Sequence, residues 1–210
     1  LRRQMEVLRA PFDETRKAAK RLDGTLNTAF LTAAADAAGR YHREMGVPVE
    51  ELRSSMAIST RTASSGANAF SLARMLVPTG DMPIAERFML IQQLAHEARG
   101  TGTSGSVDAL AAVAATLPTS VITRLARQQA QTVDFATSNV RGAPVPLYIA
   151  GAQLLENYPV GPLLGVAYNL TLLSYNHSLD MGVNIDTEAV EDPALLRRCL
   201  ERAFKDLQAV

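Results

Sequence analysis

The stretch Val166-Ala-Tyr-Asn-Leu-Thr-Leu-Leu-Ser-Tyr175, followed by Asn176-His177 and then Ser178-Leu-Asp-Met-Gly-Val-Asn-Ile185, decides the fold. Both flanks are rich in strand-forming residues and the centre is turn-prone, so the stretch reads as an antiparallel hairpin. The second flank alternates: Leu179, Met181, Val183 and Ile185 share one face, and Ser178, Asp180, Gly182 and Asn184 share the other. Such a pair needs neighbouring strands and cover on its apolar side. Further strands are expected at residues 53–60, 68–77, 133–139 and 147–156, with a polar turn at 63–68.

The cover is helical. After a short charged segment at 13–21, Leu26, Phe30, Ala33, Ala37, Tyr41 and Met45 recur at three- and four-residue steps until Gly46 stops the run. The Ala-rich face of this helix suits close packing on a sheet. Asp81 and Pro83 open a second helix through Ile84, Phe88, Ile91, Ala95 and Ala98 to Gly100, and a Gly/Ser/Thr loop follows at 100–106. Helices are expected at 107–116 and 120–131, joined at Pro118. A closing helix after Asp192-Pro193 turns Leu196, Leu200, Ala203, Phe204 and Leu207 inward. The economical assembly is an α/β fold, a mixed sheet flanked by helices.

Composition narrows the function. The 210 residues are 47% hydrophobic and 20% charged, as in ordinary globular proteins. Twenty-one basic side chains balance 21 acidic ones, which gives no electrostatic reason to seek nucleic acid. A single cysteine, Cys199, excludes an intrachain disulfide and a cysteine-based metal site, and the cytoplasm is the default compartment. No apolar run is long enough for a spanning helix, and no signal peptide is visible. The first residue is Leu1 rather than Met, so a piece of a longer protein is expected.

Catalytic templates fail one after another. His42 and His96 fall near the ends of the two long helices and off their apolar stripes, and His177 falls at the hairpin turn; all three read as solvated surface residues. There is no Gly-x-Ser-x-Gly elbow. The run Gly100-Thr-Gly-Thr-Ser-Gly105 lacks the lysine and the preceding strand of a phosphate loop. No metal-ligand spacing occurs, and the acids Glu50-Glu51 and Glu191-Asp192 sit where a helix dipole or loop accounts for them. The chain carries no complete catalytic constellation of its own.

Two stiff loops remain. Thr137-Ser-Asn-Val-Arg-Gly-Ala-Pro-Val-Pro146 sets hydroxyl and amide groups at a strand end before a Gly/Pro turn. Asn157-Tyr-Pro-Val-Gly-Pro-Leu-Leu-Gly165 is a second Pro/Gly loop with an apolar interior. They fit either a site held on loops or tight turns with local side-chain caps.

These loops carry a resemblance. Residues 137–151, Tyr158-Pro-Val-Gly-Pro-Leu-Leu-Gly165 and Asn169-Leu-Thr-Leu-Leu-Ser-Tyr-Asn176 resemble, in order and spacing, the C-terminal half of the bacterial wax ester synthase/diacylglycerol acyltransferase family. Gly24-Thr-Leu-Asn27 resembles the family's Asn-Asp helix start, and Ile58-Ser-Thr-Arg61 with Gly66 and Asn68 its strand-and-arginine segment. Thr28 replaces the usual Asp, and Arg141 a common Pro.

The resemblance implies a chloramphenicol acetyltransferase-like fold of two α/β halves around a channel. Here residues 25–210 would be the C-terminal half, and 1–24 a connecting segment. It implies transfer of a long-chain acyl group from acyl-CoA, a substrate and not a cofactor, to a long-chain alcohol or diacylglycerol. The general base would be the second histidine of a His-His-x-x-x-Asp-Gly motif in an N-terminal half, a partner this sequence lacks. Ser138, Asn139, Gly142 and Tyr175 would meet substrate, with Tyr175 and Ser174 the weaker candidates because a strand interior accounts for them too. Asn27, Arg61, Asn68, Pro159 and Gly161 would serve the structure, Asn27 by fixing the helix start. Peripheral contact with a membrane or lipid droplet is compatible with such substrates. The alternative is a non-catalytic half-domain that binds lipid or pairs with a partner.

Overall fold

A computed structural model of the chain describes residues 2–59, 70–100, 132–163 and 165–210. The helices expected at 107–116 and 120–131, the turn at 63–68, Arg61 and Asn68 lie outside the described residues.

The hairpin is present. Strands β7 (Tyr168–Tyr175) and β8 (Ser178–Asp186) pair antiparallel, with Tyr168 opposite Ile185 and Tyr175 opposite Ser178. Asn176 and His177 turn it at φ 41° and 64°, the left-handed pair of a type I′ turn, whose twist matches that of the strands. Four strands extend it: β1 (Arg3–Pro11), β2 (Glu51–Ser59), β3 (Phe70–Pro78) and β4 (Phe135–Arg141), in the order β1-β8-β7-β4-β2-β3. The pairs β7–β4 and β4–β2 are parallel, and the others antiparallel. The sheet is therefore mixed, with β4 central.

The registers sort the side chains. Leu8, Ala10, Leu179, Met181, Val183, Ile185, Leu170, Leu172 and Phe135 lie on one face and share a core with α1 (Phe12–Arg21), α2 (Leu26–Glu44), α3 (Ile84–Gly100) and α4 (Pro193–Gln208). Thr25 caps α2, its Oγ1 accepting from Thr28 N–H at 3.2 Å. Asp192 caps α4 through Leu195 N–H at 2.8 Å, with Pro193 in the first helical position.

Four features go beyond the local sequence pattern. Residues 1–24, read as a connecting segment, hold the edge strand β1 and the helix α1. Only Leu8 and Ala10 of β1 are buried, and α1 buries only Thr15, Ala18 and Ala19, so neither shows a large apolar stripe in sequence. Residues 147–156 are not one strand but two short ones, β5 (Tyr148–Ile149) and β6 (Ala152–Gln153). They fold back at Ala150 (φ 50°) and Gly151 (φ 85°). The polar face of β8 is buried, because residues 156–163 lie across it as a strap. Asn157 N–H donates to Asp180 Oδ2 at 2.8 Å, Asn184 Nδ2 to Gly161 O at 2.9 Å, and Asn169 Nδ2 to Pro162 O at 2.8 Å. A Cβ on Gly182 would stand 2.0 Å from Pro159 O, and one on Gly161 2.4 Å from Thr171 Oγ1. Finally, Ser138 and Asn139 are inside β4, which continues to Arg141.

α2 is enclosed on all sides, with Ala29, Phe30, Leu31, Ala33, Ala34, Ala35 and Ala37 fully buried. It also buries a carboxylate, Asp36, which Arg40 Nε meets at 2.6 Å and the fully buried Arg87 Nη2 at 3.3 Å. Arg87 donates further to Pro78 O at 2.6 Å and Gly80 O at 2.8 Å, joining α3 to the end of β3. Burial pushes the Arg87 guanidinium below its ordinary range; Asp36 opposes this, while Arg43 and Arg40 add to it. Removing one partner strands the other charge, so Asp36→Ala is expected to cost about 3–5 kcal/mol in urea unfolding. A cost below about 1 kcal/mol would mean that Arg87 is satisfied by its carbonyls alone.

Candidate functional site at the end of the central strand

β4 is flanked on both sides by parallel neighbours, and the first turn of α2 lies against its C-terminal part. Asn139 Nδ2 donates there to Asn27 Oδ1, a contact between residues 112 apart in sequence. The cap that sequence assigned to Asn27 belongs to Thr25 instead. Thr28 also turns to the cap, its hydroxyl 3.0 Å from Thr25 Oγ1, so the departure at position 28 falls on the helix start and not on the amide pair.

Ser138 follows the alternation of the strand. Asn139 shares the helix-covered face with Phe135 and Thr137, whereas Ser138 stands on the opposite face beside Thr171. The two neighbours in sequence therefore serve different surfaces, a separation fixed by backbone geometry.

Beyond β4 the chain turns at Gly142, whose N–H donates to Ser174 Oγ at 3.3 Å. A Cβ at Gly142 would lie 2.4 Å from Ser174 O, so the backbone approach itself requires glycine. Tyr175 is buried, and its hydroxyl is a clasp: it accepts from Leu147 N–H at 2.9 Å and donates to Leu154 O at 2.7 Å. It thereby ties the β5–β6 hairpin to the sheet. That hairpin and its flanks expose Val145, Tyr148, Ile149, Leu155 and Val160. In the strap, burial and then the neighbouring Glu156 raise the Tyr158 phenol above its ordinary range.

The histidines do not converge on this place. His42 is half-buried fifteen residues along α2 from Asn27, about 22 Å at the helical rise. It lines a recess of about 310 Å³ with Tyr41, Leu52, Asp134, Phe135 and Tyr168. Burial raises the Tyr168 phenol, and its ring stacks on Phe135 at 5.2 Å. Burial opposes ionisation of Asp134 in that recess, but bonds from the Arg53 side chain and backbone outweigh it and hold the carboxyl low. His96 is exposed on α3 beside a recess of about 280 Å³ shared with Thr25, Thr28 and Gln92. His177 leans toward α1, with Nδ1 3.1 Å from Asp13 Oδ2. Among the described residues there is no group of three or more His, Cys, Asp or Glu that could hold a metal ion. No described helix is long and apolar enough to cross a membrane.

A family model described as the WS/DGAT C-terminal domain matches residues 66–208. The chain belongs to the WS/DGAT C-terminal domain family. Among relatives, a putative diacylglycerol O-acyltransferase of Mycobacterium tuberculosis, Rv2484c, is 30% identical over 196 residues, 92% of this chain and 40% of that protein. The probable diacylglycerol O-acyltransferase tgs1 of the same species is 24% identical over 223 residues, 99% of this chain and 47% of that protein. The wax ester synthase/diacylglycerol acyltransferase from Marinobacter aquaeolei superposes with a TM-score of 0.73 at 23% identity, over 99% of this chain and 48% of that one. This WS/DGAT domain thus spans less than half the length of these relatives. Its fold is the chloramphenicol acetyltransferase-like one that the resemblance implies.

The clasp gives a direct test of how the domain holds its hairpin. Tyr175→Phe leaves Leu147 N–H and Leu154 O unpartnered, with an expected cost of about 1–3 kcal/mol. Amide exchange at Leu147 should accelerate while exchange within β8 keeps its protection. Unchanged exchange at Leu147 would refute the clasp.

Proposed function

We propose that this domain forms one wall of the acyl-CoA and acceptor channel of an O-acyltransferase of the wax ester synthase/diacylglycerol acyltransferase type. The acceptor hydroxyl, of a long-chain alcohol or a diacylglycerol, attacks the thioester carbonyl of acyl-CoA. A histidine of a His-His-x-x-x-Asp-Gly motif in an N-terminal half takes the hydroxyl proton. The tetrahedral intermediate collapses with cleavage of the carbon–sulfur bond, the ester is released, and CoA leaves as the thiol once its sulfur is protonated. Acyl-CoA is consumed as substrate, and no cofactor enters.

The observation that carries this reading is the Asn139–Asn27 amide pair on the central strand of a family domain whose described residues bring no base to it. In the reading, Asn139 donates to the thioester oxyanion or to the pantetheine arm; Ser138, on the opposite face of β4 beside Thr171, is the second candidate and is tested separately. One donor aimed at a developing oxyanion is worth about a hundredfold or more in turnover. Peripheral attachment to a membrane or lipid droplet would suit the substrates. A second reading, a non-catalytic half that binds lipid or a partner, draws support from the exposed Tyr148, Ile149, Leu155 and Val160.

Two experiments decide between them. The coding region upstream of Leu1 should encode a His-His-x-x-x-Asp-Gly; a start site there with no such motif favours the half-domain reading. In the intact protein, assayed with a long-chain acyl-CoA and a long-chain alcohol or diacylglycerol, Asn139→Ala should lower kcat about a hundredfold. Unchanged turnover and acyl-CoA affinity in both Asn139→Ala and Ser138→Ala, at unchanged stability, would end the channel assignment.

A further inference from the structure

Capping by Thr25 leaves the Asn27 carboxamide without a task at the helix start. It reaches across to the sheet, where its Oδ1 accepts from Asn139 Nδ2. The terminal torsion of an asparagine is soft, so an unanchored carboxamide swings between orientations. A hydrogen bond to one N–H fixes the amide plane, and the planar group then fixes where its second N–H and its Oδ1 point.

We infer that Asn27 is a positioning residue: held on the first turn of α2, it orients the Asn139 carboxamide for the acyl-thioester. The inference rests on the channel reading above and adds a division of labour to it. Asn139 touches substrate; Asn27 acts only through Asn139. Both anchors are stiff. Asn139 sits on a strand with hydrogen-bonded neighbours on both sides, and Asn27 on a helix locked by Thr25 at its start and by the Asp36–Arg87 pair two and a half turns on. The distance between the amides is thereby set by the packing of α2 on β4 and not by either side chain.

The test uses the intact enzyme, with steady-state kinetics toward a long-chain acyl-CoA and thermal melting measured in parallel. Asn27→Leu removes the acceptor at similar size. Asn27→Ser keeps a polar residue suited to a helix start but is too short to reach Asn139, so it serves if the leucine variant folds poorly. Either should lower kcat about tenfold to a hundredfold and change KM for acyl-CoA less than about threefold, the signature of a misplaced transition-state donor. In an Asn139→Ala background, Asn27→Ser should have no further effect, because the residues act as a unit. Asp192→Ala, which uncaps α4 away from the amide pair, should lower the melting temperature and leave kcat intact, separating lost stability from a misplaced amide. Full kcat in Asn27→Ser, or effects that multiply in the double variant, would overturn the inference. If Asn139→Ala itself keeps full turnover, the channel reading falls and this inference with it; if only Asn139→Ala is impaired, this inference falls alone.

Discussion

The arrangement depends on a helix with no outside. α2 is walled by the sheet, α1, α3 and α4, and it can occupy that space because six of its thirteen buried residues are alanine and one is glycine. Gly39 marks how tight the fit is: a Cβ there would stand 1.9 Å from Thr79 O. A helix so enclosed cannot leave a charge unanswered, and Asp36 is answered twice, by Arg40 from its own helix and by Arg87 from α3. The pair is a weak source of net stability, since both charges lose their water. Its effect is geometric: it sets the axial position of α2 against α3 and the β3 end, and so where the first turn of α2 meets β4.

Much of this was legible in the sequence. The hairpin 166–185, the long alanine-rich helix and the capped closing helix each declare themselves by period and punctuation. The elements that escaped notice share a cause. β1 is an edge strand half in water, and α1 buries only small side chains, so the apolar stripe that announces a buried element is missing from both. The alternation of β8 was legible, but its meaning was not: Asp180, Gly182 and Asn184 look like a solvent face until the strap covers them. Asp180 meets Arg9 Nε at 2.9 Å and Ser178 Oγ at 2.7 Å as well as the strap backbone, a set of partners no local pattern reveals.

The candidate site shows the same division. Family likeness drew attention to Ser138, Asn139, Gly142 and Tyr175, but one dimension cannot say which of them touch. Asn27 and Asn139 meet across 112 positions, while Ser138 and Asn139, adjacent in the chain, part to opposite faces. Tyr175 spends its hydroxyl on the hairpin backbone, and Gly142 is small because Ser174 is close. A buried tyrosine hydroxyl with two backbone partners has no signature in sequence, because both partners lie more than twenty positions away.

The parity of β4 has one more consequence. Its ladders on both sides, to β2 and β7, leave no slack for inserting or deleting a residue, because a shift of one would exchange the two faces and carry Asn139 to the side of the strap. Descent within such a strand is confined to replacement of side chains. Changes of length are pushed outward to the loop that follows, whose hairpin is anchored to the sheet at the phenol of Tyr175. Lineages of this domain should therefore keep an invariant count through the strand and diversify in the reach of the loop beyond it.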